Sequence, residues 1–343
     1  MIYDALIIGR GLAGAVLAET LLQRGLSVHV FDQPRSGSAS RAAAGVVNPV
    51  VLRRDIPSWR AAELLPLARS FYTDWQHRLG RPLWEDLPMV KVFPSPNEAR
   101  QWHQAMQRPL SAPFLTRRTE PGVETAPLRA PHGYGVIPDG AWLRVPELLD
   151  AQGAMLEAQG SSSTLDVRTE AIEVQEDRVT IGDVQGRWLI RCAGPFGEHP
   201  GLVPVRGDTL LVRIPGLDLS CMVHRGVFLV PLGNELYRVG ATFVWEDVWN
   251  DRPDAARELL LERLRAFVDA PLEVVGRTWG VRPASRDRRP LLGRTGPREA
   301  IFNGLGSRGV LLAPWCAAHL AAHLWDGAPL DPEVDHRRYV PGS

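Results

Sequence analysis

The sequence predicts an α/β domain interleaved with an α+β domain that is built on an antiparallel sheet. Near the N-terminus, residues 5–31 show the pattern of a buried strand, an Ala/Leu-rich helix and a second strand. In the middle of the chain, residues 203–243 show period-two strands separated by Gly, Pro and Asn turns. The chain has 343 residues, 45% of them hydrophobic, so it is long enough to bury a large core.

Glycines follow the first predicted strand with the G-x-G-x-x-G spacing of a dinucleotide-binding turn. Gly9 permits the tight turn, Gly11 lets a pyrophosphate approach the backbone, and Gly14 allows the helix to pack closely on the strand. The N–H groups at the start of the helix, predicted over about residues 13–23, then face the phosphates. Asp32 ends the second predicted strand, where a carboxylate accepts hydrogen bonds from the adenosine ribose. The nucleotide-binding candidates of this motif are Gly9, Gly11, Leu12, Ala13, Gly14, Asp32 and Gln33.

A run of small residues follows in the stretch SASRAAAGVVNPV, residues 38–50. Small side chains let the backbone pass close to a large planar ring, so this stretch is a second candidate for cofactor contact. A tightly packed helix that starts among these residues is the alternative. The glycine motif by itself does not separate FAD from NAD. The candidates in this stretch are Ser40, Arg41, Ala42, Ala43, Ala44 and Gly45.

Composition excludes several function classes. Lys+Arg and Asp+Glu both number 39, so the net charge gives no electrostatic footprint for nucleic acid. Lys91, the only lysine, lies in the alternating stretch MVKVF, which argues against a Schiff base or a phosphate-loop role. The three cysteines have no C-x-x-C spacing, so we expect no metal site and a reducing compartment. Without a secretion signal or a span-length apolar segment, we expect a cytoplasmic protein.

Beyond the first helix, apolar periodicity predicts helices that alternate with short strands. A helix with Pro66 as a possible kink is predicted from about residue 59 to 78. Further helices are predicted over residues 96–106, 144–160 and 252–268, and an apolar helix follows the glycines near residue 306. Strand-like segments are predicted over residues 164–174, 178–183 and 187–194.

Five segments in order resemble the FAD-dependent amine and amino-acid oxidoreductases of the D-amino-acid oxidase and glycine oxidase family. They are the opening glycine motif, SRAAAGVVNP, IRCAGPF (190–196), WGVRPASRDRRPLLG (279–293) and NGLGSRGVLLAP (303–314), and the resemblance extends to about residue 327. It implies a discontinuous Rossmann-type FAD-binding domain at residues 1–80, 137–204 and 276–343. It also implies a substrate-binding domain at 81–136 and 205–275. The resemblance further implies non-covalent FAD, contacted mainly through main chain by Ala171, Ala193 and Gly194.

Arg282 is the main candidate for substrate binding. Oxidation of an amine at carbon transfers a hydride from the carbon next to nitrogen to the flavin N5, and the protein mainly supplies orientation. A planar guanidinium holds a carboxylate by two parallel hydrogen bonds. The resemblance assigns Arg282, in the Gly-x-Arg-Pro motif, to the substrate carboxylate. A structural ion pair with one of the acidic residues is the alternative.

The glycine-rich loop before the last apolar helix is the candidate for the flavin ring. Its N–H groups and the helix N-terminus would stabilise the anionic reduced ring near N1 and the C2 carbonyl. Arg308 has two further interpretations, contact with the substrate or a solvent-exposed position at the helix start. The candidates of this loop are Gly306, Ser307, Arg308, Gly309 and Val310.

One position departs from the family's pattern. Where glycine oxidase has a tyrosine beside the substrate, this chain has Phe228 in FLVP, which puts a second carboxylate anchor in doubt. Tyr237, on a nearby predicted strand, is a candidate to compensate for that loss, and a buried core tyrosine is the alternative.

Three functions remain open at this stage. The first is oxidation of a small amino acid or N-substituted glycine, with dioxygen as the expected electron acceptor. The second is removal of carboxymethyl from a modified wobble uridine of tRNA, because the last two motifs also resemble the FAD domain of the bifunctional tRNA-modifying enzyme. The third is a flavin dehydrogenase that acts on a 2-hydroxy acid and passes electrons to a carrier.

Overall fold

The computed structural model describes residues 2–116, 128–166 and 172–340. These residues form a mixed sheet of eight strands and a second sheet of seven strands, with two small sheets beside them. The helices are α1 (Leu12–Gln23), α2 (Ala61–Leu79), α3 (Pro96–Met106), α4 (Val145–Ala158), α5 (Pro253–Arg265) and α6 (Gly309–Trp325). The small sheets contain β3 (Val46–Val47), β6 (Trp84–Asp86) and β9 (Ala141–Leu143), and β4 (Val50–Val51) with β5 (Ile56–Pro57).

The first large sheet is the Rossmann-type part of the predicted fold. Its strands are β1 (Ile2–Ile8), β2 (Val28–Asp32), β10 (Ser162–Thr164), β11 (Ile172–Val174), β12 (Val179–Ile181), β13 (Val184–Arg191), β19 (Leu291–Arg294) and β20 (Glu299–Asn303). Strands β10, β2, β1 and β13 lie side by side and parallel, and β20 pairs in parallel with the C-terminal part of β13. Distant parts of the chain therefore meet in one sheet, and the predicted fold class is confirmed.

Helix α1 joins β1 to β2 and is buried along most of its length between the sheet and α6. Its many alanines and leucines favour a helix and let both neighbours approach. A Cβ atom on Gly14 would lie 1.9 Å from the carbonyl oxygen of Gly9, so only glycine permits this approach. Gly9 itself has a φ of +97°, in the region that favours glycine. Both glycines thus set the turn and the packing that the spacing predicts.

The second large sheet is the antiparallel part of the predicted fold. Its strands are β7 (Met89–Val92), β8 (Tyr134–Ile137), β14 (Leu202–Arg213), β15 (Met222–His224), β16 (Phe228–Gly233), β17 (Leu236–Gly240) and β18 (Glu273–Ser285), and their order is β18-β14-β17-β16-β15-β7-β8. One face packs Leu210, Leu229 and Val239 against Leu260 and Leu264 of α5. Because side chains alternate along a strand, the neighbouring residues face the other way. That other face forms one wall of the main cavity.

One alternative from the sequence, a helix that starts within residues 38–50, differs from the structure. No helix starts in residues 38–50; they form turns followed by β3, because Gly45 has a φ of +73° and its carbonyl accepts a hydrogen bond from the Leu143 N–H. The domain boundaries predicted after residues 204 and 275 lie within the ranges of β14 and β18. The division into two domains stays a prediction. Within the described ranges, no helix combines the length and apolar character needed to cross a membrane.

Candidate active site

A cavity of about 1370 Å³ is lined by residues from both large sheets and from the segment at 38–52. Its lining includes the glycine turn after β1 and residues of β14, β16 and β17 of the second sheet. The start of α6 and its preceding loop also line it. A single cavity therefore contains most of the residues that the sequence assigns to cofactor and substrate.

The side chains of Asp32 and Ser40 hold the glycine turn in place. The carboxylate of Asp32 accepts a hydrogen bond from the Arg10 N–H at 2.9 Å, and the Ser40 hydroxyl accepts one from the Leu12 N–H at 2.9 Å. Gly11 is the N-cap of α1 and supplies no side-chain cap. A Cβ atom there would lie 3.1 Å from Ser40 Oγ, so the turn has little room for a larger residue. These features fit a pyrophosphate at a helix N-terminus.

The small residues at 39–45 lie where the chain passes close to β18. A Cβ atom on Gly280 would lie 3.0 Å from the Cβ of Ala42 and 2.9 Å from the Cα of Ala39. On the other side, the Trp142 indole N–H donates to the carbonyl of Ala44 at 2.9 Å. The segment is therefore clamped between two neighbours, and larger side chains would separate it from them.

Arg282 lies in the cavity lining without a carboxylate partner among the described residues. Its guanidinium donates only to the carbonyls of Arg206 and Thr242, at 3.4 and 3.3 Å, and lies 4.5 Å from the ring centre of Phe243. A Cβ atom on Gly207 would lie 2.0 Å from the guanidinium, so that glycine creates its space. Burial lowers the pKa of Arg282 to about 10, and the charge of Asp208 partly opposes this shift. The group therefore remains charged at neutral pH.

Arg308 is the second arginine of this kind. It precedes α6 directly, and one of its terminal nitrogens is buried without a hydrogen-bond partner in the described part of the chain. Burial lowers its pKa to about 10, and the like charges of Arg288 and Arg289 act in the same direction. An unpaired buried cation is costly, so an anionic or polar ligand is its expected complement.

The other arginines of the cavity lining differ from these two. Arg35 pairs with Asp166 at 2.8 Å, Arg191 pairs with Glu299 at 2.8 Å, and Arg41 pairs with Asp150. Arg10 lies 4.0 Å from Glu157. Pairing is thus the rule in this lining. The two exceptions are Arg282, which the sequence assigns to the substrate carboxylate, and Arg308, for which substrate contact is one of the interpretations.

The cavity lining contains most of the predicted residues but not all of them. Predicted residues in the lining are Gly9, Gly11, Leu12, Ala13, Asp32, Gln33, Ser40, Arg41, Ala42, Ala43, Ala44, Gly45, Ala193, Gly194, Arg282, Gly306, Ser307, Arg308, Gly309 and Val310. Gly14 is outside it and serves packing. Ala171 lies outside the described residues.

Tyr237 does not belong to the site. It is 3% exposed, belongs to the hydrophobic cluster behind the second sheet, and its hydroxyl donates to the Leu217 carbonyl at 2.5 Å. Strand alternation explains this placement, because residue 237 faces the core and its neighbours face the cavity side. Phe228 does line the cavity, so the position of the family's tyrosine is retained without its hydroxyl.

His224, Thr209 and Asn303 also line the cavity, although sequence patterns did not indicate them as site residues. Only the strand register brings them there, and a single sequence gives no signal for register between distant strands. No group of histidine, cysteine or acidic side chains suited to a metal ion occurs among residues whose positions are described.

Comparison with known proteins identifies the family of this chain. Residues 4–323 match the family described as FAD dependent oxidoreductase (DAO). The chain belongs to this family. It is therefore an enzyme, an FAD-dependent oxidoreductase, and the glycine turn and small-residue segment fit the expected cofactor.

Relatives of this family member include proteins of two kinds. The chain is 26% identical to the tRNA 5-methylaminomethyl-2-thiouridine biosynthesis bifunctional protein MnmC of Maricaulis maris, over 98% of this chain and 54% of that protein. It is also 26% identical to glycine oxidase of Geobacillus kaustophilus, over 91% of this chain and 90% of the relative. The crystal structure of glycine oxidase from Geobacillus kaustophilus superposes with a TM-score of 0.76 at 21% identity, covering 98% of this chain and 97% of that one. The chain thus spans about half the length of MnmC.

Proposed function

We propose that this enzyme oxidises the C–N bond of a small amino acid or N-substituted glycine. The observation that carries the proposal is the Arg282 guanidinium, which lines the cavity and meets no carboxylate among the described residues. Two parallel hydrogen bonds from this group to a substrate carboxylate would fix the α-carbon in one orientation. Arg308 would provide a second positive group for the same substrate end.

The proposed cofactor site follows the lining of the cavity. The Gly9 turn and the N-terminus of α1 would hold the pyrophosphate, and Asp32 would accept from the ribose. The loop at 306–310 and the start of α6 would contact the ring, and the segment at 40–45 with residues 193 and 194 would contact the rest. The bound flavin supplies the acceptor for the hydride that leaves the carbon next to nitrogen.

Electrostatics of the proposed site favour the reactive form of the amine. Hydride loss requires an unprotonated nitrogen, and a nearby positive charge disfavours the ammonium form. Arg282 and Arg308 are both without a carboxylate partner among the described residues. A bound substrate carboxylate would neutralise one of these charges, and the other would still lower the pKa of the amine.

A second candidate is the removal of carboxymethyl from a modified tRNA wobble uridine. The match to MnmC over 98% of this chain favours it, since that substrate is also an N-substituted glycine. The net charge of zero weighs against tRNA, because nucleic-acid binding normally uses a positive surface. A flavin dehydrogenase that acts on a 2-hydroxy acid is the third candidate, and the electron acceptor would be dioxygen or a carrier.

Anaerobic mixing of the purified holoenzyme with candidate substrates tests the proposal. Glycine, sarcosine, proline, larger D- and L-amino acids and a 2-hydroxy acid are compared by the loss of flavin absorbance. Bleaching by an amino acid or N-substituted glycine is expected, and reoxidation in air then separates an oxidase from a dehydrogenase. Bleaching by the 2-hydroxy acid alone would contradict the proposal. A salt-dependent tRNA mobility shift, without bleaching by any free compound, would favour the tRNA candidate.

A further inference from the structure

A row of laterally paired residues crosses the cavity wall of the second sheet. Thr209 of β14 pairs with Gly240 of β17, which pairs with Phe228 of β16, and Phe228 pairs with His224 of β15. Lys91 of β7 continues the row as the partner of His224. Paired residues point to the same face of a sheet, and the first four of these residues line the cavity. The row therefore extends the proposed substrate site away from Arg282.

Strand spacing sets the length of this extension. The Arg282 guanidinium lies against Gly207 of β14, two residues from Thr209. Three strand spacings separate β14 from β15, which amounts to roughly 14 Å between their backbones. Side-chain reach shortens this span, but glycine and sarcosine are still too short to touch both ends. The ring of Phe228 covers Gly240 between them, so this middle part of the path is apolar.

Lys91 ends the row outside the cavity lining, where its ammonium group is already paired. Its ammonium donates to the Asp55 carboxylate at 2.7 Å and to the Leu52 carbonyl at 2.8 Å. Lys91 and Asp55 are both 5% exposed or less. Burial, and next the charge of Lys91, lower the pKa of His224 to about 4, so its ring is neutral at pH 7. A neutral ring carries one N–H donor and one bare nitrogen.

The surroundings of His224 decide which nitrogen carries the proton. Nδ1 is buried and has no hydrogen-bond partner among the described residues. Buried N–H groups without an acceptor are rarer than acceptors without a donor, so we assign the proton to Nε2. The residue lines the cavity and the described residues offer Nε2 no partner either, so this N–H is available to a ligand.

We infer that His224 contacts the substrate. Its N–H donates a hydrogen bond to an oxygen acceptor at the far end of the substituent on the substrate's amine nitrogen. The inference rests on the proposed function and narrows its substrate class to N-substituted glycines with an extended, acceptor-tipped substituent. The carboxylate would lie at Arg282, the aliphatic part over Phe228, and the acceptor at His224. A free small molecule and the modified base of an RNA share this chemistry.

The test compares two compounds of equal length, N-(4-hydroxybutyl)glycine and N-pentylglycine, with sarcosine as the short reference. The wild-type holoenzyme is expected to favour the hydroxyl compound in kcat/KM by about 5- to 10-fold. His224→Phe should bring this ratio close to 1, and His224→Gln, which keeps an N–H donor, should retain part of it. His132→Gln, at an exposed histidine outside the cavity lining, is the matched control and should keep the wild-type ratio.

A binding measurement separates substrate contact from an effect on the reaction. (4-Hydroxybutoxy)acetate and pentyloxyacetate replace the amine by an ether and cannot be oxidised at a C–N bond, and their dissociation constants follow from the change in flavin absorbance. The same preference, lost in His224→Phe, is expected. An equal affinity of the wild type for both ethers would overturn the inference. A His224→Phe protein that binds FAD less tightly but keeps the wild-type preference for the hydroxyl compound would also overturn the inference, because His224 would then support the cofactor.

Two further outcomes separate this inference from the proposed function. Bleaching by sarcosine without discrimination between the longer compounds would reject the role of His224 and leave the proposed function standing. Bleaching by none of the N-substituted glycines or amino acids would reject the proposed function itself. If the hydroxyl compound is favoured, competition by unmodified tRNA distinguishes the sources: inhibition at low salt indicates an RNA substrate, and its absence indicates a free small molecule.

Discussion

Arg206 and Arg282 lie on neighbouring strands yet have opposite surroundings. Arg206 is 3% exposed, stacks 4.0 Å from the ring centre of Trp279, and donates to the carboxylates of Asp208 and Asp251. Arg282 also lies over an aromatic ring, but it has only carbonyl partners among the described residues. The same residue type is thus neutralised inside the protein in one case and left for a ligand in the other.

The largest expected effect comes from removing a carboxylate that neutralises Arg206. Asp208→Asn keeps the shape of a 1% exposed side chain but leaves Arg206 and Arg277 with the half-exposed Asp251 as their only carboxylate in the described structure. We expect the free energy of unfolding to fall by about 3–5 kcal/mol, measured by urea denaturation. Asp269→Asn, in the exposed pair with Arg129, should cost less than about 1 kcal/mol. Equal losses in both variants would mean that the Asp208 cluster is not a stabilising unit.

A carboxylate introduced next to Arg282 should make its surroundings similar to those of Arg206. Phe243 is 56% exposed and lies against the Arg282 guanidinium, so Phe243→Glu would place a carboxylate where the substrate is proposed to bind. We expect KM for the preferred amino acid to rise by about 10-fold or more, with a smaller change in kcat. Phe243→Gln, of the same size but uncharged, should raise KM much less. Similar KM values for the two variants would argue against an electrostatic site.

The smallest expected effect concerns Asp287, the carboxylate partner of Arg338 near the C-terminal end of the chain. Burial alone would raise the pKa of Asp287, but hydrogen bonds to its carboxylate from the Arg338 guanidinium and from the Arg289 N–H, together with the Tyr339 side chain, lower it to about 2. A carboxylate with a lowered pKa stabilises the fold above its unfolded value near 3.9, and this contribution is lost as the pH falls from there to about 2. We expect Asp287→Asn to cost at most about 1 kcal/mol at pH 7, because the pair is partly exposed.

Thermal unfolding from pH 7 to pH 2 checks this prediction. The difference in Tm between Asp287→Asn and the wild type should shrink below pH 4. A difference that stays constant over that range would show that hydrogen bonding or packing, not charge, is what the substitution removes.

Local sequence predicted the fold and one end of the site, because these depend on short-range patterns. The glycine spacing at 9–14 sets a turn within a few residues, and the structure has that turn. FAD as cofactor and the family are confirmed by comparison with known proteins. The Ser40 contact with the Leu12 N–H and the absence of a helix near it depend on distant neighbours, so periodicity did not reveal them.

The substrate end was harder to predict, because strand register decides which side chains reach it. Tyr237 and Arg238 are neighbours in sequence, and alternation turns only one of them to the core. His224 enters the cavity wall through pairing with Phe228, which no local pattern indicates. The sequence likewise contains many arginines, and only the structure shows which of them have carboxylate partners.

The most direct test of the account measures how Arg282 affects substrate binding. The rate of anaerobic flavin reduction is recorded against the concentration of the preferred amino acid for the wild type, Arg282→Ala and Arg282→Lys. Arg213→Ala, on β14, which pairs with the strand that carries Arg282, but outside the cavity lining, is the matched control. We expect Arg282→Ala to raise the apparent dissociation constant by at least ~100-fold, with Arg282→Lys intermediate because an ammonium cannot bind a carboxylate in the bidentate geometry. An Arg282→Ala enzyme that binds and oxidises the amino acid as well as the Arg213→Ala control would contradict the account.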